Sequence, residues 1–233
     1  MKRFYEAVDV EAADNGIQIT LDGRGIKTAL GNAQVLPTKA LSDAMAKEWD
    51  AQGEEIDPAL FLYRDLADFA IDMIAPDRDA TITKLLSFIE TDTLCYRADP
   101  DEAFYARQCE MWDPLLEELE SQTDIKLERI SGIMHRPQSP EMHIKLTDRL
   151  NNFDDFALAS TLTMASLAAS LSVALLANAA DADANALWSA ANLEEDWQIE
   201  QWGQDHEAED VRKRRTADFL NAFEFGRLAA ASA

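Results

Sequence analysis

Apolar and polar positions along the first part of the chain change period once. Up to residue 36 the period is short. Phe4–Val10 reads as a strand, and Asp14-Asn15-Gly16 is a turn signal, since Asn and Gly tolerate positive φ. Ile17–Leu21 alternates apolar and polar, as a half-buried strand does. Asp22-Gly23 and Gly31-Asn32 mark two more turns, around the short runs Gly25–Thr28 and Gln34–Leu36. These segments predict an antiparallel meander. After Pro37 the period becomes helical. Leu41, Met45 and Trp49 form one stripe at four-residue spacing, with Gly53 as a C-terminal cap. Beyond Pro58, Leu62, Leu66, Phe69 and Met73 continue a helical pattern to Ile74.

Pro76-Asp77 is the expected boundary of a small α+β domain, residues 1–76. Residues 77–233 read as a helical bundle. Its expected helices are Ile82–Tyr96, Glu102–Leu119, Glu141–Leu150, Asn185–Trp202 ending at Gly203, and Glu207–Leu228. Pro114 must begin or kink a helix. Ile125–Ile133 alternates well enough for an isolated strand or an extended link. Residues 156–180 carry no charge, nine Ala and six Ser or Thr. A run of that length can span a bilayer. However, acids flank it at Asp154, Asp155, Asp181 and Asp183, with no basic anchor or aromatic belt. It reads as a central core helix of about 156–180, whose small residues let neighbours approach. The fold class is α+β: a small N-terminal meander with helices, then an orthogonal, all-helical C-terminal bundle.

Composition narrows the function. The 233 residues hold 44 acids against 21 bases, a net charge of −23. Phosphate recognition is driven by Lys and Arg, so nucleic acid is not an expected partner. An anionic membrane surface is disfavoured for the same reason. The opening residues contain Glu6 and Asp9 and no apolar core of a secretory signal, which predicts a cytoplasmic protein. Cys95 and Cys109 are too few for a disulfide scaffold and read as buried packing residues in a reducing compartment. No phosphate-binding glycine loop or nucleophile elbow appears. His135, His143 and His206 lack metal-ligand spacing. Asp205-His206-Glu207 could touch a hard cation, but in so acidic a chain carboxylates flank a histidine by chance. Neither a cofactor nor a metal is expected.

Recognition surfaces are the better candidates. No Lys or Arg occurs from residue 150 to 211, and that stretch holds 12 acids, eight of them between Glu194 and Asp210. Most such runs are solvated faces. Here Glu195, Gln198 and Trp202 share one helix face, and Trp is enriched at interface hot spots. Trp197 and Trp202 cannot both point inward from one narrow stripe. Trp49 continues a core stripe. Arg212–Arg215 is the only basic cluster, expected to pair with the preceding acids.

Taken together, the motifs resemble a family. Lys2-Arg3-Phe4-Tyr5, Leu21-Asp22-Gly23-Arg24 with Lys27-Thr28, Leu36-Pro37-Thr38 and Glu48-Trp49-x-x-Gln52 come first. Then follow Thr91-Asp92-Thr93-Leu94-Cys95-Tyr96-Arg97, Gln108, Trp112-Asp113-Pro114 and Glu194-Glu195-x-x-Gln198-Ile199-x-x-Trp202-Gly203. In this order, over nearly the whole chain, they resemble the ATP synthase F(1)-sector assembly chaperones that handle the alpha subunit. Phe61–Arg64 departs from the Met-Pro-Leu-Thr-like stretch usual there. The resemblance implies a two-domain binding protein without catalysis, acting in the bacterial cytoplasm or, in organellar relatives, the mitochondrial matrix. Its implied partner is the unassembled alpha subunit, shielded until the beta subunit displaces the chaperone. It implies roles for Glu195, for Glu194 and for Trp49. Gln198 and Trp202 complete the expected contact, and the free chain is expected to be a monomer. Two other classes remain: a generic acidic scaffold for a basic protein, and a hydrolase holding a metal on Glu194, Glu195 and Asp205.

Overall fold

The computed structural model describes residues 1–132, 134–203 and 206–230, without the His206 side chain. The N-terminal sheet is built around β2 (Gly16–Leu21), which pairs antiparallel with β1 (Val8–Ala13) from Val8↔Leu21 to Ala13↔Gly16. Strand pairing begins at Val8 rather than Phe4. β3 (Arg24–Gly25) pairs with the end of β2, and β4 (Val35–Leu36) pairs with its start. The sheet is therefore not a simple meander: β3 and β4 share one edge of β2. β3 is only two residues long, so the start of β2 is left open. Gly16 lets β4 enter there, because a Cβ at that position would lie 2.4 Å from the Leu36 carbonyl oxygen.

Helix α1 (Lys39–Asp50) is capped by Thr38, whose hydroxyl accepts from Leu41 N–H, and it buries Leu41, Met45 and Trp49 as the stripe predicts. It ends at Ala51, before Gly53. After a short 3₁₀ turn (Pro58–Leu60), α2 (Leu62–Phe69) runs into a π-helical turn, Ala70–Ile74. In α3 (Arg78–Ile89) the helix starts earlier and stops sooner than its apolar pattern suggests. Asp92 follows, fully buried, and its carboxylate accepts from Leu94 N–H, Ser172 N–H and the Ser170 hydroxyl. A chain turning to satisfy one buried carboxylate cannot continue as helix.

β5 (Tyr96–Arg97) and β6 (Ile130–Ser131) form a short parallel pair, so the segment expected as an isolated strand or link is partnered at Ile130 and Ser131; Ile133, its expected end, lies outside the described residues. α4 (Ala103–Thr123) runs through Pro114. α5 (Pro140–Asn151) is capped by Ser139. The uncharged stretch is two helices, not one: α6 (Asp155–Ala168) and α7 (Leu171–Leu176). Ala169 sits between them at φ 48°, and Ser170 caps α7 by accepting from Val173 N–H. The predicted Asn185–Trp202 helix also divides, at Asn192, into α8 (Ala184–Ala191) and α9 (Leu193–Trp202). α10 (His206–Ala230) follows. Among the described residues, no helix is long and apolar enough to cross a membrane.

The architecture is α+β, a small antiparallel sheet followed by helices. Two units emerge. The first comprises Met1–Arg78, Asp154–Ser160 and the chain from Glu224 onward; the second comprises Asp79–Phe153 and Thr161–Phe223. The first unit's core joins Ile19, Leu36, Leu41, Met45, Trp49 and Phe61 to Phe225 and Ala229. Gly226 meets α6 closely enough that a Cβ there would lie 2.5 Å from the Ser160 hydroxyl. In the second unit Trp112 donates to the Ala190 carbonyl at 2.9 Å, and Trp188 donates to the Thr216 hydroxyl at 2.8 Å. Both cysteines are free. Cys95 is buried, which pushes its thiol far up, and Cys109 is half-buried against Arg97.

Candidate functional site

The acidic helix α9 has two unlike sides. Its inner side is tied to the second unit. Leu193 is buried, and Trp197 stacks on Phe104 at 5.4 Å between ring centroids. Arg107 grips Glu200 with two hydrogen bonds of 2.6 and 2.9 Å, beside the Trp197 ring. Asp196 pairs with Arg212. Trp197 is thus the inward tryptophan, and Trp202, about 1.4 turns on, points the other way. It is 78% exposed, which is uncommon for so large an apolar ring.

Glu194, Gln198 and Trp202 recur every four residues along the outer side, and Glu195 borders it. Gln198 donates to Glu194 at 3.3 Å, and among the described residues no Lys or Arg pairs with Glu194. Glu195 lies 3.8 Å from the Arg215 guanidinium, and both are partly exposed. An open groove of about 370 Å³ runs beside it, lined by Glu195, Glu207, Ala208, Val211, Arg212 and Arg215. The structure therefore gathers Glu194, Glu195, Gln198 and Trp202 on one face. The basic cluster does pair with preceding acids, through Arg212, Lys213 and Arg215.

Trp49 stands apart. It is 8% exposed in the core of the first unit, 4.5 Å from the Phe61 ring and 5.7 Å from the Tyr5 ring. Its neighbours in the Glu-Trp-x-x-Gln motif hold backbone. Glu48 accepts from the Tyr63 and Arg64 N–H groups at 2.7 and 3.0 Å and so caps the start of α2. Burial raises the Glu48 carboxyl above its usual range despite these bonds. Gln52 accepts from Asp57 N–H at 2.7 Å. The second-half motifs are also structural. Arg97 donates to Asp113 at 2.7 Å, and Gln108 accepts from Ala98 N–H at 2.8 Å.

Among the described residues no three His, Cys, Asp or Glu side chains converge on a metal site. Glu90 does meet two histidines, with His143 at 2.8 Å and His135 at 3.8 Å, a link that spacing along the chain did not suggest. Asp205 and the His206 side chain, weighed as cation ligands, lie outside the described residues.

The chain is similar to known proteins over most of its length. The family described as ATP12 chaperone protein matches residues 2–120. The mitochondrial atp12 protein of Schizosaccharomyces pombe is 23% identical over 222 residues, covering 90% of this chain and 76% of that protein. The crystal structure of Atp12 from Paracoccus denitrificans superposes with a TM-score of 0.93 at 32% identity, covering 98% of both chains. A chaperone candidate of Agrobacterium tumefaciens is 36% identical, with a TM-score of 0.91, over 97% of this chain and 85% of that one.

Proposed function

The chain belongs to the ATP12 chaperone family, assembly factors of the ATP synthase F(1) sector, and we propose that it binds the unassembled alpha subunit through the outer face of α9. The observation that carries the placement is Trp202, exposed on a helix whose other tryptophan, Trp197, is half-buried against Phe104. A large aromatic ring left exposed beside polar groups is a favoured interface anchor. An unassembled subunit presents an apolar patch of its own. Trp202 would cover part of it, while Glu194, Glu195 and Gln198 supply the polar rim that keeps the pair soluble. A chaperone contact must be weak enough to be displaced. Competition by the beta subunit would therefore release the alpha subunit without a catalytic step or a nucleotide.

The reading is tested by co-expressing the chain with its cognate alpha subunit and fractionating the soluble protein by size. A stoichiometric complex with alpha, absent with beta alone and dissolved when beta is added, is expected. Trp202→Ala should weaken that complex by about tenfold or more, the scale of a hot-spot truncation, without lowering the melting temperature. Glu195→Lys should weaken it as well. If both variants retain alpha as the unaltered chain does, α9 is not the contact.

A further inference from the structure

The first unit holds a second site, unrelated to α9. Tyr5, Leu21, Ile26 and Trp49, all at least nine-tenths buried, line a cavity of about 470 Å³, within the range of ~300–1,000 Å³ usual for binding pockets. Phe4, 62% exposed, stands at its rim with its ring edge-on to Tyr5 at 5.3 Å. Arg24 and Lys27 also line it, both exposed; among the described residues neither closes an ion pair, and Arg24 lies near enough to Asp22 to help lower its carboxyl. Asp22, the acid at the rim, is already engaged by the Glu6 and Ala7 N–H groups, which hold it below the usual aspartate range.

Two features call for a ligand. The Trp49 indole N–H is buried without a hydrogen-bond partner. Buried tryptophans ordinarily find one, and an orphaned donor in a native structure needs a reason. In addition, two cations that close no ion pair among the described residues flank one cavity in a chain of net charge −23. β3 supplies Arg24 and Gly25 to the same cavity as the two-residue edge strand of the sheet, a place where an extended segment can lie alongside.

We infer that this cavity receives a large apolar side chain from an extended, acidic segment of the client polypeptide. The side chain fills the space between Phe4, Tyr5, Ile26 and Trp49. A carbonyl or carboxylate oxygen of the segment accepts from the Trp49 indole N–H, and its acids lie against Arg24 and Lys27. The inference deepens the assembly-chaperone reading: this contact has the opposite electrostatic sign to that of α9, so one client needs both a basic and an acidic region.

The probe is a blocked peptide, Ac-Ser-Asp-Phe-Glu-Gly-NH₂, titrated into the full ¹⁵N-labelled chain. The Trp49 indole cross-peak is identified by its loss in Trp49→Phe, which keeps an aromatic ring in the core. A saturable shift of that peak is expected. It should weaken by about tenfold in the Arg24→Glu/Lys27→Glu double variant and with the Asn/Gln version of the peptide, as the loss of rim charge predicts. Both substituted side chains are exposed, so the variant keeps its core. No movement of the peak, or movement unchanged in the double variant, overturns the inference; so does an equal shift from inorganic phosphate, which would make the site an anion site. Capture of the alpha subunit separates the two proposals. Equal capture by the unaltered chain and the double variant rejects the cavity as a client site and leaves α9 standing. Failure of the unaltered chain to capture alpha rejects the chaperone contact, and the peptide titration then decides the cavity alone.

Discussion

At the scale of single residues, burial separates two tryptophans that the sequence motifs present alike. Trp49 sits against Phe61 and Tyr5 in a core, whereas Trp202 lies on the surface. Trp49→Ala should cost about 3–5 kcal/mol, the range for emptying a buried aromatic site, and denaturant unfolding will measure it. A Trp49 substitution that weakens client binding therefore also lowers stability, unless it keeps the ring. Glu120 is a second buried case. Burial alone would raise its carboxyl, but Arg129, the Leu127 N–H and Lys126 outweigh that and hold it below the usual glutamate range. A depressed carboxyl stabilises the fold above its ordinary value near 4.5 and loses that contribution as pH falls through its folded value. Glu120→Gln should be less stable than the unaltered chain near neutral pH, with the gap narrowing under acid. Unfolding at several pH values measures the gap; a constant gap contradicts the linkage. The Glu120 cluster was not legible along the chain, because its partners are set by the turn after α4 and not by periodicity.

At the scale of elements, the reading of the chain succeeds where one stripe decides the outcome and fails where a single polar group does. α1 follows its Leu41, Met45 and Trp49 stripe, and β2 forms where alternation predicts a strand, although polar Thr20 is buried along with Ile19 and Leu21. The uncharged run at 156–180 carried no period and so no sign of its break. The break is made by Ala169 in the left-handed region and by Ser170, which both caps α7 and donates to buried Asp92. Likewise β4 pairs with β2 because a glycine stands at position 16, a fact of packing that hairpin signals do not encode. The α6–α7 break gives a paired test. Ala169→Gly removes a left-handed strain of about 1–2 kcal/mol per residue, partly offset by the entropy glycine adds to the unfolded chain. A net gain of about 1 kcal/mol should raise the melting temperature by roughly 2–4 °C. Ser170→Ala should go the other way by at least about 1 kcal/mol, the usual worth of a cap, since Asp92 also loses a donor. Opposite shifts in calorimetry are expected; two falls would place the strain elsewhere.

At the scale of the molecule, charge carries what fold does not. An α+β arrangement of this kind has no necessary activity, so function must come from its surfaces. The family was legible in the sequence through ordered motifs, yet most of those motif residues hold the fold: Glu48 caps α2, Gln52 ties Asp57, and Arg97 grips Asp113. Burial, not the motif string, distinguishes the α9 face from such scaffolding. On that face no Lys or Arg among the described residues pairs with Glu194, and the chain as a whole carries −23. Fields of this size steer oppositely charged partners and are screened within about 10 Å at 0.1 M salt. On the proposed reading, association with the alpha subunit should therefore slow as salt rises, while dissociation, which Trp202 and its apolar contacts would govern, changes little. Glu194→Lys should lower the association rate and flatten its salt dependence. Trp202→Ala should instead speed dissociation. Stopped-flow binding across a salt series distinguishes the two. If Glu194→Lys acts only on dissociation, the acidic face works by direct pairing at close range rather than by steering, and the net charge serves solubility alone.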